Sequence, residues 1–141
     1  MDNTITSINP FPNDVRTAFQ AYIQSQSEDG SQTRNRERIT PIKQQRIFTF
    51  LNSPHIKAID AIDARLKHRA LTEFHITQDK LYRNSNATHK ARYIVQESEV
   101  FDLIINEHLQ LLHAGRDKVW AIVQQKYYGI NKHEVAFILK Q

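Results

Sequence analysis

Apolar residues recur along this chain in changing rhythms, and the changes mark its elements. Val15, Phe19, Tyr22 and Ile23 fall at helical spacing, so a first helix is expected to start at Pro12 or Asn13, with Asn13 as its cap, and to end by Ser27. No apolar residue lies between Ile23 and Ile39, and Ser25 to Asn35 is rich in Ser, Gln, Asp, Gly and Asn. That stretch reads as a mobile linker and the best boundary in the chain. Thr40-Pro41 then offers an N-cap followed by proline at the first helical position, which predicts a helix carrying Ile42, Ile47, Phe48 and Leu51. Ser53-Pro54 repeats the device. The helix expected after it places Ile56, Ile59, Ile62 and Leu66 on a packing side, with Lys57, Arg65, Lys67 and Arg69 largely elsewhere.

Between Thr72 and Val95 the period falls to two, with Phe74 and Ile76, then Leu81, then Tyr93 and Val95, separated by Gln78-Asp79 and by Asn84-Ser85-Asn86. A small antiparallel hairpin or meander is expected there. From Ser98 the helical period returns: Val100, Phe101, Leu103, Ile104, Ile105, Leu109, Leu111 and Leu112 give an apolar surface too wide for a one-sided stripe. A shorter helix from Arg116 to about Lys126 carries Val119, Trp120, Ile122 and Val123, and Gly129 is placed to break it. Asn131-x-x-Glu134 then has the form of a capping box. The fold class expected is mainly α with a small antiparallel sheet. Four segments are expected: residues 1–30, an N-terminal helix and linker; 31–71, a basic segment and helical pair; 72–97, a small β extension; and 98–141, a three-helix unit.

At 141 residues with a net charge of +4 the chain suits one compact domain or two small ones. It has no cysteine, which removes disulfides and thiolate catalysis and suits a reducing compartment. No apolar run approaches the about 18 residues that a membrane span needs, and the first residues are polar, so an intracellular protein without membrane association is expected. The positive charge gathers in the middle, where Arg34, Arg36, Arg38, Lys43 and Arg46 follow an acidic N-terminal stretch.

The last third carries the chemistry. His108 stands late in the apolar helix and His113 just past its end; Gly115, the basic Arg116-Asp117-Lys118, Trp120 and the corner Tyr127-Tyr128-Gly129-Ile130 follow. This run resembles the amino-terminal zinc-binding domain of retroviral and Gypsy-type retrotransposon integrases. Phe74-x-Ile-x-x-Asp-Lys-Leu-Tyr-Arg, with Arg92-Tyr93-Ile94-Val95 after a loop, is similar to the short extension that precedes that domain, so the resemblance covers about residues 72 to 141. It implies a compact three-helix fold, a helix-turn-helix-like arrangement and a part in multimer assembly. In the family a Cys-x-x-Cys, following the helix that corresponds to residues 131–141, completes the metal site. Here His108 and His113 are half of such a site, and zinc is expected only where two further ligands are supplied. His133 and Asp117 have simpler explanations, as a helix start and an exposed turn. A metal-free version, with hydrogen-bonded histidines and packing from Trp120, Tyr127 and Phe137, is the preferred expectation.

Catalysis is not expected. Asp60 and Asp63 share a helix among lysines and arginines and read as a solvated face; three glycines make no phosphate loop, and no nucleophile elbow is present. Integrase chemistry belongs to a different domain. Arg34, Arg36, Arg38, Lys43, Arg46, Arg116, Lys118, Lys126 and Lys132 are the candidate phosphate contacts, while Phe101, Ile105, Trp120, Tyr127, Tyr128 and Phe137 are candidate anchors for protein association. The expectation is a domesticated or element-derived, non-catalytic module, intracellular and nuclear, that binds DNA or chromatin-associated partners and forms homo-oligomers. Its rival is a metal-independent protein-interaction or dimerisation scaffold that does not bind nucleic acid.

Overall fold

A computed structural model describes residues 13–28 and 34–140 of the chain. The described residues form six α-helices and a four-stranded sheet, a mainly helical α+β fold. The helices are α1 (Asn13–Glu28), α2 (Pro41–Asn52), α3 (Ala61–Glu73), α4 (Val100–Gln110), α5 (Arg116–Lys126) and α6 (Lys132–Lys140). The strands are β1 (Phe74–Thr77), β2 (Lys80–Arg83), β3 (Arg92–Ile94) and β4 (Tyr127–Tyr128). The side chain of Asn13, the expected cap of α1, and residues 29–33 of the expected linker lie outside the described residues.

The chain divides into two compact units, one joining α1 with Ser98–Val123 and α6, the other made of Glu37–Glu97 and Gln124–Gly129. Each is discontinuous in sequence, so the N-terminal helix belongs with the helices of the last third.

In the first unit, Val15 and Phe19 of α1, Phe101, Ile104 and Ile105 of α4, Val119 and Val123 of α5, and Val135 and Ile138 of α6 are buried. Phe19 lies 6.2 Å from Phe101 and 6.1 Å from Phe137, and Tyr22 stacks on Phe137 at 4.4 Å. Helix α6 opens on the expected capping box. The Glu134 amide donates to Asn131 Oδ1 at 2.9 Å, and the Asn131 amide donates to Glu134 Oε1 at 3.0 Å. Asn35 Nδ2 donates to the same carboxylate oxygen at 2.9 Å, so the carboxylate of buried Glu134 accepts hydrogen bonds from both Asn35 and Asn131. Helix α4 stops at Gln110, earlier than its apolar pattern suggests, because Leu112 and His113 both take positive φ, 56° and 63°. Leu112 consequently faces solvent instead of extending the apolar surface.

The second unit packs α2 and α3 on one face of the sheet, around Ile39, Ile47, Phe50, Ala70, Phe74, Leu81, Ile94 and Tyr128. Thr40 caps α2 by accepting from the Lys43 amide, with Pro41 at the first turn. Strand order is β1-β2-β3-β4; the first three strands are antiparallel and β4 joins β3 in parallel. Tyr127-Tyr128, expected as a corner after a helix, is therefore a strand. Buried Gln44 ties helix to sheet, donating from Nε2 to the carbonyls of Ile39 at 2.9 Å and Val95 at 3.1 Å. Gly129 at φ 111° sits where a Cβ would meet Val95 Cγ2 at 3.0 Å, and its carbonyl accepts from Arg38 Nη1 at 2.9 Å.

Three further sequence expectations are corrected in this unit. Ser53-Pro54 does not begin a helix, because the Ser53 amide closes α2 on the Thr49 carbonyl at 2.9 Å; Asp60 caps α3 instead, accepting from the Asp63 amide at 2.7 Å. With the start moved to Ala61, the proposed packing stripe breaks up: Ile59 is 81% and Ile62 68% exposed, as is Ile42 of α2 at 84%. Nor is Asp63 a solvated charge. It is buried, and Arg46 grips it with Nε at 3.0 Å and Nη2 at 2.8 Å while the Ile59 amide donates at 3.0 Å. The hydrogen bonds from Arg46 hold the Asp63 carboxyl below its ordinary value and raise the guanidinium in turn.

Candidate functional site

The histidine pair lies at the end of α4. His108 Nδ1 is 2.8 Å from the Ala114 carbonyl, which can only accept, so that nitrogen donates, which in the neutral ring leaves the lone pair on Nε2. His113, brought back by the two left-handed residues, sets its Nδ1 3.2 Å from His108 Nε2. This separation suits a hydrogen bond from His113 to His108. It also approximates the spacing of two nitrogens on a tetrahedral zinc, about 3.3 Å for bonds near 2.05 Å. A carbonyl fixing the far nitrogen is the support that metal-binding histidines commonly have. The donor set is nevertheless half of a structural zinc site, and among the described residues no group of three or more His, Cys, Asp or Glu side chains is arranged to hold a metal. His133 and Asp117 are both exposed, at the starts of α6 and α5.

The sheet places a second constellation on the face opposite the α2–α3 core. Alternation along each strand and the strand register put His75, Tyr82, Tyr93 and Tyr127 in one cross-strand row. Ring centroids step across it at 5.7, 5.8 and 6.5 Å, the first pair stacked and the next two edge-to-face. All four rings are half-buried, and exposed Lys80 brings its ammonium 5.6 Å from the Tyr93 centroid. The tight turn that aligns the row has positive φ at both Gln78 and Asp79, as a two-residue hairpin of type I′ requires.

The other face of the same sheet ends in arginines. Arg83 pairs directly with Arg92 in the β2–β3 register, and their guanidinium carbons lie 4.7 and 5.2 Å from the Tyr128 ring centroid. Arg69 of α3 donates to the Tyr128 hydroxyl at 3.2 Å and pairs with Glu73 at 3.0 Å.

No family model, no curated protein and no solved structure matches the chain.

The expected contact residues therefore stand on their own geometry. Arg34, Arg36, Lys43, Arg116, Lys118, Lys126 and Lys132 are exposed, as a phosphate contact requires. Arg38 and Arg46 are corrected: the Arg38 side chain is 8% exposed, bonded to Gly129 and 3.7 Å from Glu97, and Arg46 is held by Asp63. Of the expected protein anchors, Phe101, Ile105 and Tyr128 are core residues, whereas Trp120, Tyr127 and Phe137 are half-buried. His75, Lys80, Tyr82 and Tyr93 of the row, and Arg69, Arg83 and Arg92 on the other face, are not among the residues expected from sequence as site residues. Alternating aromatics in the β segment were a usable signal for the row. Nothing in the sequence announces that Arg83 and Arg92 face each other.

Proposed function

We propose that the chain is a non-catalytic nucleic-acid-binding module related to the amino-terminal region of retroelement integrases, working in nuclear assemblies on DNA or chromatin. The observation that carries the binding is the aromatic row His75–Tyr82–Tyr93–Tyr127 with Lys80 beside it. Unstacked bases take such a platform because each base has a π face, while a neighbouring cation meets the backbone. The histidine pair on its left-handed corner, followed by two more helices, supports the integrase relationship. The module forms homo-oligomers in this reading, as the family resemblance implies.

Fluorescence anisotropy with a short single-stranded oligonucleotide tests it. Tyr93→Ala should weaken binding by about 1–3 kcal/mol, the effect of losing one stacked base, and Tyr93→Phe should keep it. Lys80→Ala should weaken binding and flatten its salt dependence. No binding at low salt, or a Tyr93→Ala variant that binds like the parent, removes the proposal.

A second reading, a protein-interaction or dimerisation scaffold without nucleic acid, is favoured by one observation. Ile42, Ile59 and Ile62 are strongly exposed and line one groove between α2 and α3. Large apolar side chains gathered in the open mark association surfaces. Association through them is nearly independent of salt, whereas phosphate binding is not.

A further inference from the structure

We infer that Arg83 and Arg92, with Arg69 and Tyr128, form a binding site for a phosphate group at the rim of the sheet. The site stands on the opposite face from the aromatic row and does not depend on bases stacking there.

Like charges directly opposite each other on antiparallel strands destabilise a sheet, and Arg83 faces Arg92 in that way. The protein supplies little to offset it. Glu73 is 3.0 Å from Arg69 and only 3.7 Å from Arg83, beyond hydrogen-bonding distance in the second case. Among the described residues Arg92 has no carboxylate within ion-pairing distance; Glu37 acts on it only through space, and its guanidinium carbon lies 5.2 Å from the Tyr128 ring centroid. Burial, and then the charge of Arg83, push the Arg92 guanidinium below its ordinary value. Three guanidinium groups thus gather around one tyrosine, and among the described residues Glu73 alone is a carboxylate within ion-pairing distance of any of them.

The geometry selects the ligand. Guanidinium groups present planar pairs of N–H donors that match the oxygens of phosphate, and a bound phosphate turns the repulsion between the two strands into attraction for both. Tyr128 holds the group together: its ring lies under Arg83 and Arg92, and its hydroxyl accepts from Arg69 while keeping its own hydrogen to donate. The arginines remain half-buried, open enough to admit an anion and sheltered enough to strengthen its hold. The phosphate is either a phosphodiester of a nucleic-acid strand or a free phosphate group, and the chemistry of the site is the same for both.

Calorimetric titration and thermal melting of the full chain, in sodium phosphate against sodium chloride at matched ionic strength, test the site. Phosphate should bind and raise the melting temperature above that in chloride. Arg92→Gln should weaken phosphate binding by about tenfold to a hundredfold, as expected for lost hydrogen bonds to a charged group. The same variant should melt in chloride at or above the parent temperature, because it removes one of two opposed charges; a merely structural Arg92 would lower it. Should Arg92→Gln fail to fold, Arg83→Gln carries the same expectation for phosphate. Equal melting in phosphate and chloride, or phosphate binding that survives both variants, overturns the inference. Competition between phosphate and a single-stranded oligonucleotide identifies a phosphodiester as the occupant, and phosphate binding without competition identifies a free phosphate. A Tyr93→Ala chain that loses the oligonucleotide but keeps phosphate separates this site from the aromatic face.

Discussion

Asp63 shows how one side chain changes role between sequence and structure. In the sequence it sits among Lys57, Arg65 and Lys67 and reads as a solvated charge; in the fold Arg46 reaches it from α2 with two hydrogen bonds. A contact across helices has no periodic signature in the sequence. Its consequence is an acid sensitivity of definite sign. The folded carboxyl is held below the ordinary value of 3.8, so the unfolded chain binds the proton first as pH falls. The pairing therefore stabilises fully above that value and is lost progressively as pH drops through the lower, folded one. Urea unfolding of parent and Asp63→Asn should show a constant difference from neutral pH down to about pH 5, then a shrinking one in stronger acid. A difference that grows in acid would contradict the pairing. Arg38 and Gly129 make the same point: the sequence marks one as a cation and the other as a helix breaker, but only the fold bonds the arginine to the glycine carbonyl.

The helices whose signals are local were readable. Thr40-Pro41 and Asn131-x-x-Glu134 begin α2 and α6 where expected, because a cap is a contact between neighbours in sequence. Ser53-Pro54 failed because the same local chemistry also serves to end a helix, and the Thr49 carbonyl claimed the Ser53 amide. Tyr127-Tyr128 failed for a different reason: a two-residue strand exists only by pairing with β3, about thirty residues earlier in the chain. The aromatic row was half legible, since period two exposes each strand's two faces but not which strands adjoin. Glu134 tests the local account. Glu134→Ala removes the return half of the capping box and the hydrogen bond from Asn35 Nδ2, so the chain should lose about 1–3 kcal/mol in denaturant unfolding. Glu134→Gln keeps an acceptor and should lose less. Equal losses would mean that charge, and not the hydrogen bonds, matters at this helix start.

Net charge alone overstates what this molecule offers to nucleic acid. Of the cations in the chain, Arg38 is engaged by Gly129 and Glu97, Arg46 by Asp63, and Arg69 by Glu73 and Tyr128. Near the sheet this leaves Lys80 on the aromatic face and, on the other, Arg92 with Arg83, whose one carboxylate, Glu73, lies 3.7 Å away and is shared with Arg69. If the module binds nucleic acid as proposed, few phosphates would therefore be neutralised at once. Each contact on a single strand contributes about −0.7 to the slope of log affinity against log salt. A chain meeting about three to four phosphates should show a slope of about −2 to −3, with affinity lost by roughly tenfold to a hundredfold between about 50 and 200 mM salt. Anisotropy titrations across that range measure it directly. A far steeper slope would mean that Arg34, Arg36, Lys43 and the exposed cations of α5 and α6 take part as well. A slope near zero, together with self-association that Ile59→Asp and Ile62→Asp abolish, would instead transfer the function to the isoleucine groove, because apolar burial releases no counterions.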